Sequence, residues 1–177
     1  MAINSSNLKL SIRETITLNN NKYDSFTNHT ISGINEISKR IVTVPTTTQD
    51  VVQISGSIGP GSYVSSSLKY IRFSNLNDQS NPSSVSLIFK NYDSDEFAVK
   101  LDYGQSFLYT GTNKHGVSGS IDSIDGSPIL AQANGVTMAS LVKVTAQSNG
   151  YPESASSAVT DADLEAEADL EIFIAST

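Results

Sequence analysis

Few residues in this chain are of a type and spacing that could do chemistry. Its two imidazoles are His29 and His115. A hydrolytic dyad needs a nucleophile and an orienting carboxylate within hydrogen-bond reach of the imidazole. Serines are abundant, but Gly116-Val117-Ser118-Gly119-Ser120 misses the G-x-S-x-G spacing of a nucleophile elbow. Both histidines and Ser118 therefore read as surface or loop residues. Oxygen donors are better represented. Asp93-Ser94-Asp95-Glu96 and Asp122-Ser123-Ile124-Asp125-Gly126 carry ligands of the kind Ca²⁺ takes, without the order of an EF-hand loop. Asp in a turn caps its own backbone with no metal present. Whether two carboxylates stand at glycosidase spacing is a matter of separation in space, on which the sequence is silent. Gly56-Ser57-Ile58-Gly59-Pro60-Gly61 puts a proline where a phosphate cradle needs free N–H groups. The expectation is a non-enzyme with no cofactor, Ca²⁺ being the one ion that the acidic turns would suit.

Two other features point to assembly. Glu165, Glu167, Asp169 and Glu171 recur every second residue, so an extended backbone sets them on one face, where they repel each other. Such a row suits a solvated edge strand that charge protects from aggregation. It equally suits docking on a basic surface of a neighbouring subunit. Up to Gly150 the 11 acidic residues balance the 11 basic ones, and the seven carboxylates beyond it carry the whole net charge of −7. Nucleic acid is disfavoured as a partner, because phosphate binding needs a basic surface. The second feature is residues 111–135, with five glycines and a proline. This stretch is too long for an ordinary connection. Ile121, Ile124, Ile129 and Leu130 give it apolar side chains to bury at a subunit contact. These four and the four carboxylates are the candidate assembly contacts, and a homo-oligomer is expected.

The elements that would position these residues are strands. Charged residues are 16% of the chain and hydrophobic ones 38%, so Ser, Thr, Asn and Gln must build much of the surface. That composition favours strands and turns over helices. In residues 68–109, Ile71 and Phe73 share a parity, as do Val85, Leu87 and Phe89, and then Phe97, Val99 and Leu101. Period-two alternation predicts strands with one buried face, here a meander of three or four antiparallel strands at the centre of the core. Leu8, Leu10, Ile12, Ile16 and Leu18 predict a first strand with one buried face, and Asn19-Asn20-Asn21 a tight hairpin after it. Gly33 marks a bulge or turn. Further strands are expected over 36–45, 51–58 and 137–146. The last runs from Leu164 to Ile174, the Ala, Leu and Glu content of 161–169 making helix its rival.

The fold expected is an all-β antiparallel sandwich of about seven to nine strands, jelly-roll or Greek-key-like. Residues 1–7 form a short N-terminal arm and 8–177 a single domain. There is no cysteine, so neither disulfides nor thiolate metal sites contribute. No classical secretory signal is visible at the N-terminus. No apolar run approaches the roughly 20 residues that span a bilayer, so no membrane partner is expected.

The segments EISKRIVTVP, KYIRFSNLND, FKNYDSDEFAVKLDYGQSFLYTG and DLEIFIAST, as a set, resemble small virion structural proteins of tailed bacteriophages, notably those of aquatic hosts. The likeness covers 36–45, 69–111 and the final strand, about half the chain, and the loop 112–135 falls outside it. The resemblance implies a β-rich accessory or decoration subunit, made in the host cytoplasm and assembled in many copies on the capsid. Its partners would be the major capsid protein or other virion proteins. A neck or tail subunit is the nearest alternative. A carbohydrate- or receptor-binding sandwich is a further one, although such platforms favour exposed Trp and the chain has none.

Overall fold

The computed structural model describes residues 6–55, 63–64, 67–92, 96–110, 116–117, 136–137, 141–149 and 166–177. The chain opens with β1 (Ser6–Leu18) and β2 (Asn21–Ile34). Then come β3 (Glu36–Val44), β4 (Gln49–Ser55), β5 (Tyr63–Val64), β6 (Leu68–Asn75), β7 (Val85–Asn91), β8 (Glu96–Leu101) and β9 (Ser106–Thr110). The last four are β10 (Gly116–Val117), β11 (Val136–Thr137), β12 (Leu141–Ser148) and β13 (Ala168–Ser176). One sheet has the order β3-β13-β6-β9. The facing sheet has the order β5-β4-β12-β7-β8, with the two-residue β5 added in parallel at its edge.

Eight strands build the sandwich: β3, β4, β6, β7, β8, β9, β12 and β13. They pair from the outside in, the first with the last (β3 with β13), then β4 with β12, β6 with β9 and β7 with β8, every pair antiparallel. A chain folded back on itself in this way and then wrapped into two sheets is a jelly roll. The all-β sandwich expected from alternation is therefore the fold, and β13 is strand throughout and not helix.

The core lies between the sheets. Ile71 and Phe73 enter it from β6, Val85, Leu87 and Phe89 from β7, Val144 from β12, and Leu170, Ile172 and Ile174 from β13. Phe89 is the hub. It stacks on Phe97 at 4.5 Å and meets Phe73, Phe107 and Tyr109 edge to face. Such offset and edge contacts add to the hydrophobic gain of burying the rings.

The meander expected over 68–109 is corrected. β6 does not pair with β7, nor β8 with β9; β6 pairs with β9 in one sheet and β7 with β8 in the other. The two crossings between sheets are held by Asn75, which is buried. Its Nδ2 donates to the carbonyls of Ser83 (2.9 Å) and Leu101 (3.2 Å), and its Oδ1 accepts from the Asn77 amide at 3.1 Å. Its backbone carbonyl accepts from the Gly104 amide. One side chain thus satisfies carbonyls where both connections cross, in a place water does not reach.

The first two strands stay out of the sandwich. They pair only with each other, in register from Leu18 opposite Asn21 to Leu8 opposite Ile31. Asn19 and Asn20 take φ of 51° and 62°, the left-handed pair that a two-residue hairpin turn needs. At the base, Gly33 has φ +79° where the register slips between Ser6 and Leu8, so it marks a bulge.

Candidate functional site

The ribbon of β1 and β2 is an arm. At its base Leu8, Leu10 and Ile31 pack with Ile34 over Tyr70, Leu108, Phe173 and Ala175, on the outer face of the four-stranded sheet. Beyond Leu10 the arm leaves the body, and every residue from Ser11 to Thr30 is exposed. This corrects the expectation of a first strand with one buried face. The alternation is real, but among the described residues no layer lies over its distal half. Ile12, Ile16 and Leu18 share the face that Leu8 and Leu10 begin, and Tyr23 joins them from directly opposite Ile16. Ile16 is 60% and Tyr23 57% exposed.

The other face of the arm is mostly polar and internally bonded. The Ser11 hydroxyl donates to Asn28 Oδ1 at 2.8 Å and the Thr15 hydroxyl to Asp24 Oδ1 at 2.7 Å. Lys22 Nζ lies 2.8 Å from Asp24 Oδ2. The Lys22 ammonium, with the Thr15 hydroxyl, holds the Asp24 carboxyl below its ordinary range. Phe26 also stands on this face, opposite Arg13, while Glu14, Ser25, Thr27 and His29 stand on the face of Ile12 and Ile16, so the ribbon is only partly sorted into an apolar and a polar side. A lone two-stranded ribbon is marginal in water at best, so cross-strand pairs alone are a thin support for strands this long. An open concavity of about 340 Å³ is cupped along it by Glu14, Thr15, Ile16, Tyr23, Asp24 and Ser25. One hairpin forms all its walls, so it cannot enclose a small ligand as a binding pocket does.

The acidic row lies on the outer face of the four-stranded sheet, and its setting corrects the edge-strand reading. β13 is an interior strand, flanked by β3 and β6. Glu171 is 9% exposed and bound from both sides. Lys39 Nζ of β3 approaches Glu171 Oε2 at 2.8 Å, and Arg72 of β6 pairs with Oε1. The Lys39 contact, and then Arg72, hold the Glu171 carboxyl below its ordinary range against the opposing effect of burial. Arg72 also lies over the Phe173 ring, 5.7 Å from its centre. Asp169 is exposed and accepts from the Thr43 hydroxyl at 3.0 Å. Glu167 is exposed just before β13 begins. The row therefore breaks up into one carboxylate neutralised within the chain and two at the surface. Glu165 lies outside the described residues.

Next to this row β3 is an edge strand whose outer face shows Ile37 and Ile41, 61% and 60% exposed. Ile37 stands beside Ala175 and Ile41 beside Glu171. They extend the footprint on which the arm base sits. Alternation in 36–45 marks a strand, but nothing in it tells an apolar residue facing the core from one facing outward.

Ile121, Ile124, Ile129 and Leu130 lie outside the described residues, as do His115, Ser118, the Asp93–Asp95 turn and the Asp122 cluster. The stretch that holds the four apolar residues leaves and rejoins the body at a two-rung ladder, Gly116 opposite Thr137 and Val117 opposite Val136. His29 is exposed on the arm, opposite Leu10. Among the described residues, no three His, Asp or Glu side chains gather as a metal-holding group. Among those residues, too, no helix is long and apolar enough to cross a membrane. No protein-family model, curated protein or solved structure matches the chain.

Proposed function

We propose that this chain is a non-enzymatic structural subunit of a bacteriophage virion, a capsid decoration or other accessory protein that acts by repetitive assembly. The observation that carries the reading is the arm: a long ribbon whose apolar side chains Ile12, Ile16, Leu18, Tyr23 and Phe26 are left in water. Exposed apolar faces of this extent mark protein–protein contacts. A subunit that must hold a neighbour has a use for such a projection. The jelly roll is compatible with this reading but does not decide it, because the fold serves both virus shells and lectins. The segments that resemble phage virion proteins fall on sandwich strands, so that likeness concerns the frame and the arm adds to it independently.

Among the described residues the carbohydrate reading lacks a platform. Exposed tyrosines occur at Tyr23 on the arm, Tyr92 after β7 and Tyr103 after β8. Tyr92 and Tyr103 flank β8 at opposite ends, roughly 20 Å apart along a strand of that length. They cannot stack on one sugar. The test is to purify particles from the native source on a density gradient and quantify the chain against the main shell protein. A fixed, high copy number is expected. Particles that lack the chain would overturn the reading. Locating the subunits in the particle by electron microscopy separates a capsid position from the neck or tail.

A further inference from the structure

We infer that the arm is exchanged between two copies of this chain, its distal apolar face lying on the outer face of β3 in the other copy around Ile37 and Ile41. The inference rests on the assembly reading above and names the partner.

Three observations meet here. The first is continuity. Beyond the contact between arm base and sheet apolar residues recur on both sides, with one charged residue between them on each strand, Glu14 on β1 and Lys39 on β3. On the arm, apolar residues continue from Leu10 to Ile12, Ile16 and Leu18; on the sheet, they continue from Ala175 to its direct neighbour Ile37 and on to Ile41. All of these extensions are exposed in the single chain, so they do not cover one another within it. The second is matching pattern. The arm face reads Ile12-x-Glu14-x-Ile16, and the acceptor face reads Ile37-x-Lys39-x-Ile41. Both triplets span about 14 Å of strand. With Glu14 over Lys39 an isoleucine falls on an isoleucine at each side, whichever way the strands run. Lys39 already holds Glu171, but an ammonium has three protons to donate and can serve a second carboxylate. Glu14 makes no ion pair with a described residue of its own chain. Meeting Lys39 would give it one.

The third is area. The arm from Ile12 to Leu18 presents a strip about 20 Å by about 10 Å. One arm on one acceptor removes on the order of 400 Å² in total, in the range of casual packing contacts. Two arms exchanged about a two-fold axis double it, to about 800 Å². Reciprocal exchange is therefore favoured over one-sided docking, and the dimer should be reversible.

The experiment uses the whole chain. Light scattering coupled to size-exclusion chromatography, over a concentration series, should show a monomer–dimer equilibrium. Ile16→Asp and Ile41→Asp should each weaken it at least tenfold, with unchanged circular dichroism. Glu14→Lys, on an exposed residue, should weaken it without touching the fold. Mixing the Ile16→Asp and Ile41→Asp proteins should restore part of the association, because a mixed pair keeps one intact arm–acceptor contact. The chain has no cysteine, so introduced thiols are the only ones. Facing sheets stand about 10 Å apart, too far for a disulfide, so a bis-maleimide of about that length is the probe. It should join an Ile16→Cys copy to an Ile37→Cys or Ile41→Cys copy.

A chain that stays monomeric at every concentration overturns the exchange, whether its arm is then free or is protected from hydrogen exchange by the chain's own residues. Crosslinks only between two Ile16→Cys copies would mean arms packed on each other, and overturn it too. So would a mixture no stronger than either variant. A monomer that is nonetheless abundant in particles sinks the exchange and leaves the virion reading standing; a dimer never found in particles does the reverse.

Discussion

Phe73 of one sheet meets Phe89 of the other edge to face, with ring centres 5.6 Å apart and planes at 88°. The two residues lie on consecutive strands that never pair, so this contact is where the wrapped chain closes on itself. Phe89 is fully buried, and its ring also touches Phe97, Phe107 and Tyr109. Phe89→Ala should therefore cost about 3–5 kcal/mol, the loss for a core phenylalanine whose cavity cannot collapse. Chemical denaturation with an unchanged m-value measures it. A loss under about 1 kcal/mol would mean that the aromatic cluster is not the centre of the core.

Asn75 should matter almost as much. Asn75→Ala leaves the carbonyls of Ser83 and Leu101 without their donor and the Asn77 amide without its acceptor. Each unsatisfied buried group costs about 1–3 kcal/mol, and partial rescue by water brings the expected total to about 2–4 kcal/mol. Asn75→Asp, which keeps the shape and the acceptor but loses the donor, should not rescue it.

The distal arm should be thermodynamically silent in the monomer. Replacing residues 12–27 by Asn-Gly rejoins Ser11 to Asn28, which face each other across the ribbon, and keeps the buried base. Exposed residues away from special contacts change stability by about 0.5 kcal/mol or less. The denaturation midpoint at low protein concentration should stay within that margin. A large fall would assign the arm a place in the core.

Stability should decline at both ends of the pH scale for separate reasons. Lys39 first, then Arg72, lower the pKa of Glu171 in the folded chain. A carboxyl with a depressed folded pKa contributes stability above its unfolded value, and that contribution is lost as pH falls through the folded pKa. The acid limb should thus begin below about pH 4.3. Glu171→Gln should flatten it and cost about 1–2 kcal/mol at neutral pH, less than a fully buried pair because Lys39 stays largely solvated. Burial pushes the Tyr109 hydroxyl up to about 12. Its neutral form is the one the fold holds, so that contribution is complete below about pH 10 and is lost as pH rises toward 12. Denaturation midpoints across pH, with Glu171→Gln and Tyr109→Phe as controls, check both signs.

Alternation was enough to place strands and to choose most inward residues of the central ones, although Phe97 and Val99 are only half-buried and on β1 and β3 it did not tell a core face from an outward one. Phe73, Val85, Leu87, Phe89, Leu101, Ile172 and Ile174 are all buried. The Asn19-Asn20 turn and the bulge at Gly33 were equally legible, because period and backbone sterics are local properties of a few residues. The neighbours of each strand were not. β3 pairs with β13 from the far end of the chain, and β6 passes over β7 to reach β9. Such partnerships are set by closing one core from two sheets, which no window of ten residues contains. The same holds at the candidate site. The carboxylate row was visible, but the cations that neutralise Glu171 come from β3 and β6, brought beside it only by the sheet order. Ile12, Ile16 and Leu18 announced a face to be buried. That no layer among the described residues buries it was decided by the tertiary structure, because both sheets of the sandwich already turn their inner faces to the core.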